Sequence, residues 1–179
     1  MHCPSEELPM SAAVTRTTPP LVLVRVLNPV LRTVLRSRFQ RPVSKGLLLL
    51  HLTGRRTGRR YDIPVGHHRI DGRLSVLTNS PWRANVRGGA DVDVTFNGQR
   101  ERMHAEIDED PQRVAAVYRT IIDELGWKQA QRRLGISIHV GRTPTLDELE
   151  QAVRQSGLSV ISLKPVVERH DGAVPGGLA

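Results

Sequence analysis

Eight consecutive residues, Thr53-Gly54-Arg55-Arg56-Thr57-Gly58-Arg59-Arg60, hold four arginines, two glycines and two threonines. Glycines at this spacing allow a tight loop with positive φ that exposes backbone N–H groups. The threonine hydroxyls add donors that need no charge, and the guanidinium groups add planar, permanently charged ones. Such a concentration of donors is what a phosphate requires. A basic hairpin tip held in solvent has the same composition, so both readings stand at this level. The stretch is not a Walker A loop, because it lacks the Gly-Lys-Ser/Thr ending and no helix signal follows it. The missing helix excludes a dinucleotide fingerprint as well.

The elements on either side must position this loop. Leu47 to Leu50, extended through His51 and Leu52, is an apolar run too short to cross a membrane and reads as a buried strand. After the loop, Tyr61, Ile63 and Val65 alternate with Asp62 and Pro64, which predicts a second strand continuing to Ile70. Asp71-Gly72 signals a hairpin, and Arg73 to Thr78 is a third strand. Asn79-Ser80-Pro81 predicts a short helix with Ser80 as its cap, ending near Gly88-Gly89. Asp91 to Phe96 and Gln99 to Ile107 read as strands joined by a type I′ turn at Asn97-Gly98. Asp110-Pro111 opens a helix to about Leu125, with Val114, Val117, Tyr118, Ile121 and Ile122 as its apolar stripe. A second helical segment spans Trp127 to Leu134, and Ile136 to Val140 reads as a strand. Thr145 to Glu148 is a capping box for a helix that faces Leu146, Leu149 and Val153 inward and ends at Gly157. Leu158 to Leu163 is the last strand. Strands joined by tight turns are antiparallel, and with helices around them they predict an α+β barrel.

Leu47 to Pro64 resembles the opening of the deazaflavin-dependent nitroreductase and quinone reductase family, whose members carry an apolar strand, T-G-R-[KR]-[ST]-G, and a strand with a proline. Thr53 to Gly58 fit that pattern, and Pro64 falls where the family has its proline. Pro81-Trp82-Arg83-Ala84-Asn85-Val86 is similar to the family's P-x-W-x-x-N-[LV] segment, one residue shorter. The resemblance extends over roughly Gly46 to Glu106. It implies a split antiparallel β-barrel with flanking helices, of the flavin-reductase type. It also implies coenzyme F420, a deazaflavin hydride carrier with a phosphate and an acidic polyglutamate tail. By motif match, Thr53, Gly54, Arg55, Arg56, Thr57 and Gly58 hold the phosphate, and Arg60 reaches the tail. Leu77, Thr78, Asn79 and Ser80 lie along the ring, and Trp82 and Asn85 shape the pocket. The implied activity is hydride transfer between the deazaflavin and a small quinone-like, nitro or other conjugated acceptor. FMN on the same barrel is the alternative cofactor, and a non-enzymatic cofactor- or lipid-binding module is the alternative outside enzymology. Tyr61, Tyr118 and His104 are proton-donor candidates by residue type, with none preferred. The family's segment between Thr78 and Trp82 is longer, and Gly126 to Val166 has no counterpart in the match.

The remaining composition narrows the classes. The formal charge is +8, and nearly all of it is arginine, since lysine occurs only at Lys45, Lys128 and Lys164. This favours an anionic partner such as a polyanionic cofactor or a membrane surface. Few aromatics and no recognition helix argue against nucleic acid. Cys3 is the single cysteine, so there is no intrachain disulfide and no cysteine metal cluster. His67 and His68 are adjacent on a strand, point to opposite faces and do not favour a shared metal. No apolar run spans a membrane and no signal peptide opens the chain, which predicts a cytoplasmic protein. Residues 1–20 read as a disordered tail and 167–179 as another. Residues 21–41 hold a basic amphipathic helix, with Leu27, Val30, Leu31, Val34 and Leu35 on one face. That helix either lies on an anionic membrane or packs on its own domain. Residues 42–166 form the cofactor-binding barrel with a C-terminal helical extension, and barrels of this type commonly pair as homodimers.

Overall fold

The computed structural model describes residues 13–16 and 46–166. The proposed amphipathic helix and both distal tails lie outside the described residues. The strands are β1 (Val14–Arg16), β2 (Leu47–Thr53), β3 (Arg60–Gly66), β4 (His68–Ile70), β5 (Arg73–Thr78), β6 (Ala90–Phe96), β7 (Gln99–Asp108), β8 (Ile136–Ile138) and β9 (Ser159–Pro165). The helices are α1 (Pro111–Leu125), α2 (Trp127–Leu134) and α3 (Leu146–Ser156), with a 3₁₀ helix at Pro81–Val86. Val14–Arg16 correct the tail reading of residues 1–20: they pair antiparallel with β8, and Val14 is buried.

The main sheet has the order β3-β2-β6-β7-β9-β5-β4, and every pairing in it is antiparallel. β3 and β4 lie at opposite edges, yet only His67 separates them in the chain. One residue can link the two edges only if the sheet curls until they meet. The fold is therefore the split antiparallel β-barrel with flanking helices, class α+β. The sequence predicts one strand from Tyr61 to Ile70, and the barrel breaks it at His67. The ladder with β2 runs out at Leu47↔Gly66, and the chain then turns to pair with β5. The His67 ring sits edge-on to Phe96, with centroids 4.8 Å apart.

Both predicted two-residue turns form. Asp71 and Gly72 have φ of 50° and 74°, and Asn97 and Gly98 have 47° and 86°, the left-handed pairs that a type I′ turn needs. Pro81–Val86 is helical as predicted but wound as 3₁₀, and Ser80 makes no side-chain cap. The Ser80 N–H instead donates to the Thr78 hydroxyl at 3.0 Å.

Two apolar cores result. Leu48, Leu50 and Leu52 of β2, Val92 and Val94 of β6, and Met103 of β7 fill the barrel. Val114, Tyr118 and Ile122 of α1, with Leu149 and Val153 of α3, form the second core on the barrel's flank, and β1 and β8 close it. β9 serves both. Ile161 and Leu163 point into the barrel, while Leu158 and Val160 pack under the helices. Leu146 departs from its expected inward orientation and is 47% exposed. The buried face of α3 runs through Leu149, Ala152 and Val153, one turn further on.

The capping box forms as the sequence predicts. Glu148 N–H donates to Thr145 Oγ1, and Glu148 Oε2 accepts the Thr145 N–H at 2.7 Å. The Arg142 guanidinium first, and then that N–H, pushes the Glu148 carboxyl from 4.5 down to about 2. A carboxylate with a depressed folded-state pKa stabilises the fold above its unfolded value and loses that contribution as pH falls through its folded one. Glu148→Gln is therefore expected to flatten the stability change between pH 4.5 and about 2, read by urea titrations at stepped pH. A pH slope equal to that of the parent protein would show that this carboxyl is not linked to folding.

Candidate functional site

Residues 54–59 join β2 to β3 and close on themselves. Gly54 N–H donates to the Arg59 carbonyl, and Gly58 N–H to the Gly54 carbonyl, each at 2.8 Å. Arg59 N–H donates to Thr57 Oγ1 at 3.3 Å. Gly58 has φ of 64°, which explains glycine there by backbone conformation. Gly54 is required for space: a Cβ would lie 3.0 Å from both Thr57 Oγ1 and the Tyr61 ring.

The loop thus spends half of its N–H groups internally, and that of Arg55 goes to Asn85. Of the six loop residues, only Arg56 and Thr57, at the tip, have an N–H with no partner among the described residues. With the Thr57 O–H and the Arg56 guanidinium they form a donor set that fits one phosphoryl or carboxylate oxyanion. Positive charge is concentrated at the same place. Arg55, Arg56, Arg59 and Arg60 have no carboxylate partner among the described residues. Several other arginines are spent on carboxylates: Arg113 on Asp108, Arg142 on Glu148, and both Arg83 and Arg87 on Glu109. The Arg87 guanidinium, and after it that of Arg83, holds the Glu109 carboxyl below its ordinary range.

The tertiary structure brings the two sequence motifs together. Arg55 N–H donates to Asn85 Oδ1 at 3.1 Å, and Arg55 Nη2 donates to the Arg87 carbonyl at 2.6 Å. Asn85 Nδ2 donates in turn to the Trp82 carbonyl at 2.9 Å. Trp82 is half-buried against the barrel core. Arg55 is therefore a clasp between the loop and the 3₁₀ helix, while Arg56 is its outward cation. Sequence reasoning missed Arg87 and Glu109, which hold that helix. Their one visible signal is charge of opposite sign, and their separation in the chain gives no reason to pair them.

The segment expected to lie along a ring is engaged in packing. Leu77 faces the helical core, and Thr78 is buried. Asn79 Nδ2 donates to the Ser156 carbonyl at the end of α3 at 3.1 Å. Arg83 Nη1 donates to the carbonyls of Asn79 and Ser80. Thr53 and Arg60 face each other across β2 and β3 and line a polar cavity of about 300 Å³ with His51, Tyr61, Asp62 and Arg100. Of the three proton-donor candidates, Tyr118 is 1% exposed in the helical core and is removed from any site on the barrel. His104 Nδ1 lies 2.8 Å from Asp91 Oδ1 on the solvent side of β7. Tyr61 carries the Arg59 guanidinium 5.7 Å above its ring and adjoins the cavity.

Among the described residues no helix is long and apolar enough to cross a membrane. No family model matches the chain, and no curated protein matches it. Two solved structures are similar to it at a distance. One, described as a domain-swapped dimer, is 13% identical with a TM-score of 0.42, over 82% of this chain and all of the other. The other, conserved hypothetical protein Rv2991 from Mycobacterium tuberculosis, is 17% identical with a TM-score of 0.39, over 78% of this chain and 79% of that one. At these values the likeness says nothing of ligand or activity.

Proposed function

We propose that this chain is an oxidoreductase that binds the deazaflavin F420 and passes a hydride between it and a small conjugated acceptor. The observation that carries the reading is the loop tip, where Arg56 and Thr57 present backbone N–H, hydroxyl and guanidinium donors while the neighbouring arginines lack carboxylate partners. An anion seated there is held by Arg56 and Thr57. Arg60, three residues past Thr57 at the start of β3, supplies charge for an acidic extension. The bound deazaflavin supplies the hydride, which no side chain of this protein can. The chain's own contribution is position: Asn85 fixes the loop through the Arg55 N–H, and Trp82 provides an apolar wall on the same short helix. Glu109 neutralises Arg83 and Arg87 on and after the adjoining 3₁₀ helix, so the uncompensated charge next to that helix is the loop's.

The test is titration of the full chain with F420 and, separately, with FMN. Trp127→Phe leaves Trp82 as the single tryptophan. Its fluorescence is expected to change on saturation with F420. Saturation by FMN alone moves the reading to the flavin on the same barrel. Absence of saturable binding by either overturns it.

A further inference from the structure

The anion loop caps the end of the barrel where Thr53 faces Arg60. β6 runs antiparallel to β2, so Phe96 and the Asn97-Gly98 turn lie at the opposite end, with the Asp71-Gly72 turn that opens β5. Gly72 and Asn97 border a cavity there of about 400 Å³, within the roughly 300–1,000 Å³ of small-molecule sites. Its floor is apolar. Leu74, Met103 and Leu163, buried members of the barrel core, line it, and Phe96 adds an aromatic wall. One cation stands in the row of that floor. Arg69 faces Leu74 across β4 and β5, and Leu74 faces Leu163 across β5 and β9, so the three share one row on the inner face of the sheet. Arg69 Nη1 donates to the Gly72 carbonyl at 3.2 Å, which holds the guanidinium at the lip. Its remaining N–H groups have no carboxylate partner among the described residues. Three other charged groups line the cavity. Lys164 is tied to Glu106 at 2.5 Å, and Arg73 adds to the positive field on that same carboxylate. Glu101 is set apart by register: Ala105 continues the row of Arg69 onto β7, and Glu101 lies four residues beyond it toward the Asn97-Gly98 turn.

We propose that this end of the barrel binds a small apolar carboxylate, with its apolar body on Leu74, Met103 and Leu163 and its carboxylate on the Arg69 guanidinium. The site is distinct from the loop tip and does not rest on the cofactor reading. Apolar burial gives it affinity, and the planar guanidinium gives it preference for a carboxylate over an alcohol or an amine. At about 30 Å³ of liquid volume per water-sized group, the cavity has room for roughly a dozen heavy atoms. That suits a benzene ring on a short acid. Glu101, further out, opposes a second negative charge and so favours monoanions.

The probes are 4-phenylbutyrate, 4-phenylbutanol and 4-phenylbutylamine, titrated by calorimetry into the full chain without added cofactor. 4-Phenylbutyrate is expected to saturate and to bind about tenfold to a hundredfold more tightly than the alcohol, the contribution of a charge-assisted hydrogen bond. The amine should be the weakest of the three. Arg69→Met should remove the preference, bringing the carboxylate to the affinity of the alcohol while the alcohol itself changes little. Glu101→Gln should tighten the carboxylate and leave the alcohol as it was. Location is read separately. The chain has three methionines, Met1, Met10 and Met103, so ¹³C-methyl methionine labelling gives three signals, and Met103→Leu assigns the one on the cavity floor. The Met103 methyl should shift on saturation with 4-phenylbutyrate, and those of Met1 and Met10 should not. Saturable binding that leaves Met103 unmoved would place the probe elsewhere and overturn the proposal. Equal affinity for carboxylate and alcohol in the parent, or no saturable binding at all, would overturn it too and make Arg69 a cover on the end of the barrel.

Discussion

Removing everything after Gly157 is expected to abolish folding rather than to trim an appendage. β9 is hydrogen-bonded on both sides, to β7 through Met103↔Pro165 to Asp108↔Val160 and to β5 through Leu74↔Leu163 to Thr78↔Ser159. Its faces belong to different cores, with Ile161 and Leu163 inside the barrel and Val160 under the helices beside Leu158. Burial of one such aliphatic side chain contributes about 1.5–3 kcal/mol, so the four together contribute roughly 6–12 kcal/mol. Domains of this size are stable by only about 5–15 kcal/mol. The truncation also strips β5 and β7 of a ladder each and leaves backbone groups unpaired in the middle of the sheet. Circular dichroism and thermal unfolding of the chain ending at Gly157 decide this. A cooperative transition near that of the full chain would mean that β9 is not integral to the barrel. A milder companion, Ile161→Ala, should lower stability by about 2–5 kcal/mol and remain folded.

The second large effect is expected at the loop. Arg56→Ala should weaken F420 binding by about tenfold to a hundredfold, since a charge-assisted hydrogen bond contributes on the order of 1.5–3 kcal/mol. Arg56→Lys should recover part of this, because it keeps the charge and loses the planar fork. Arg59→Ala is the control. Its guanidinium lies over Tyr61 and its N–H is spent on Thr57, so affinity should change little. Arg55→Ala should act differently from Arg56→Ala. It removes the bond to the Arg87 carbonyl and loosens the loop from its short helix, so it should cost stability as well as affinity. Affinity should fall with added salt as ions screen the loop. Calorimetry of the four variants measures all of this. If Arg56→Ala binds as the parent does, the cationic loop is a solvated hairpin tip.

Local structure was legible in the sequence wherever a local cause produces it. The Asp-Gly and Asn-Gly turns need two left-handed residues, and few other pairs adopt them. The capping box of Thr145 and Glu148 and the stripe of α1 are contained within a turn or two of chain, and they formed where their residues stand. The apolar run at Leu47 had to be a strand buried on both faces, and Leu48, Leu49 and Leu50 are all fully buried. The glycine loop was legible as a tight turn, because its closing bonds run between residues five apart or fewer.

What chain separation hides, only the tertiary structure decided. Whether Thr53–Gly58 and Pro81–Val86 belong to one site depends on the Arg55 to Asn85 bond, which spans thirty residues. Which arginines stay uncompensated depends on carboxylates such as Glu109, brought in from a different strand end. The tail reading failed at Val14–Arg16 because a three-residue strand has almost no local signal and exists through its pairing with β8. The last strand was foreseen, but not its place between β7 and β5, since period-two alternation says which face is apolar and nothing about the neighbour. His51 read only as part of an apolar run. Its two hydrogen bonds come from β3 and β6, and cross-strand register, set by the closing of the whole barrel, is what put Asp62 and Thr95 at its two nitrogens.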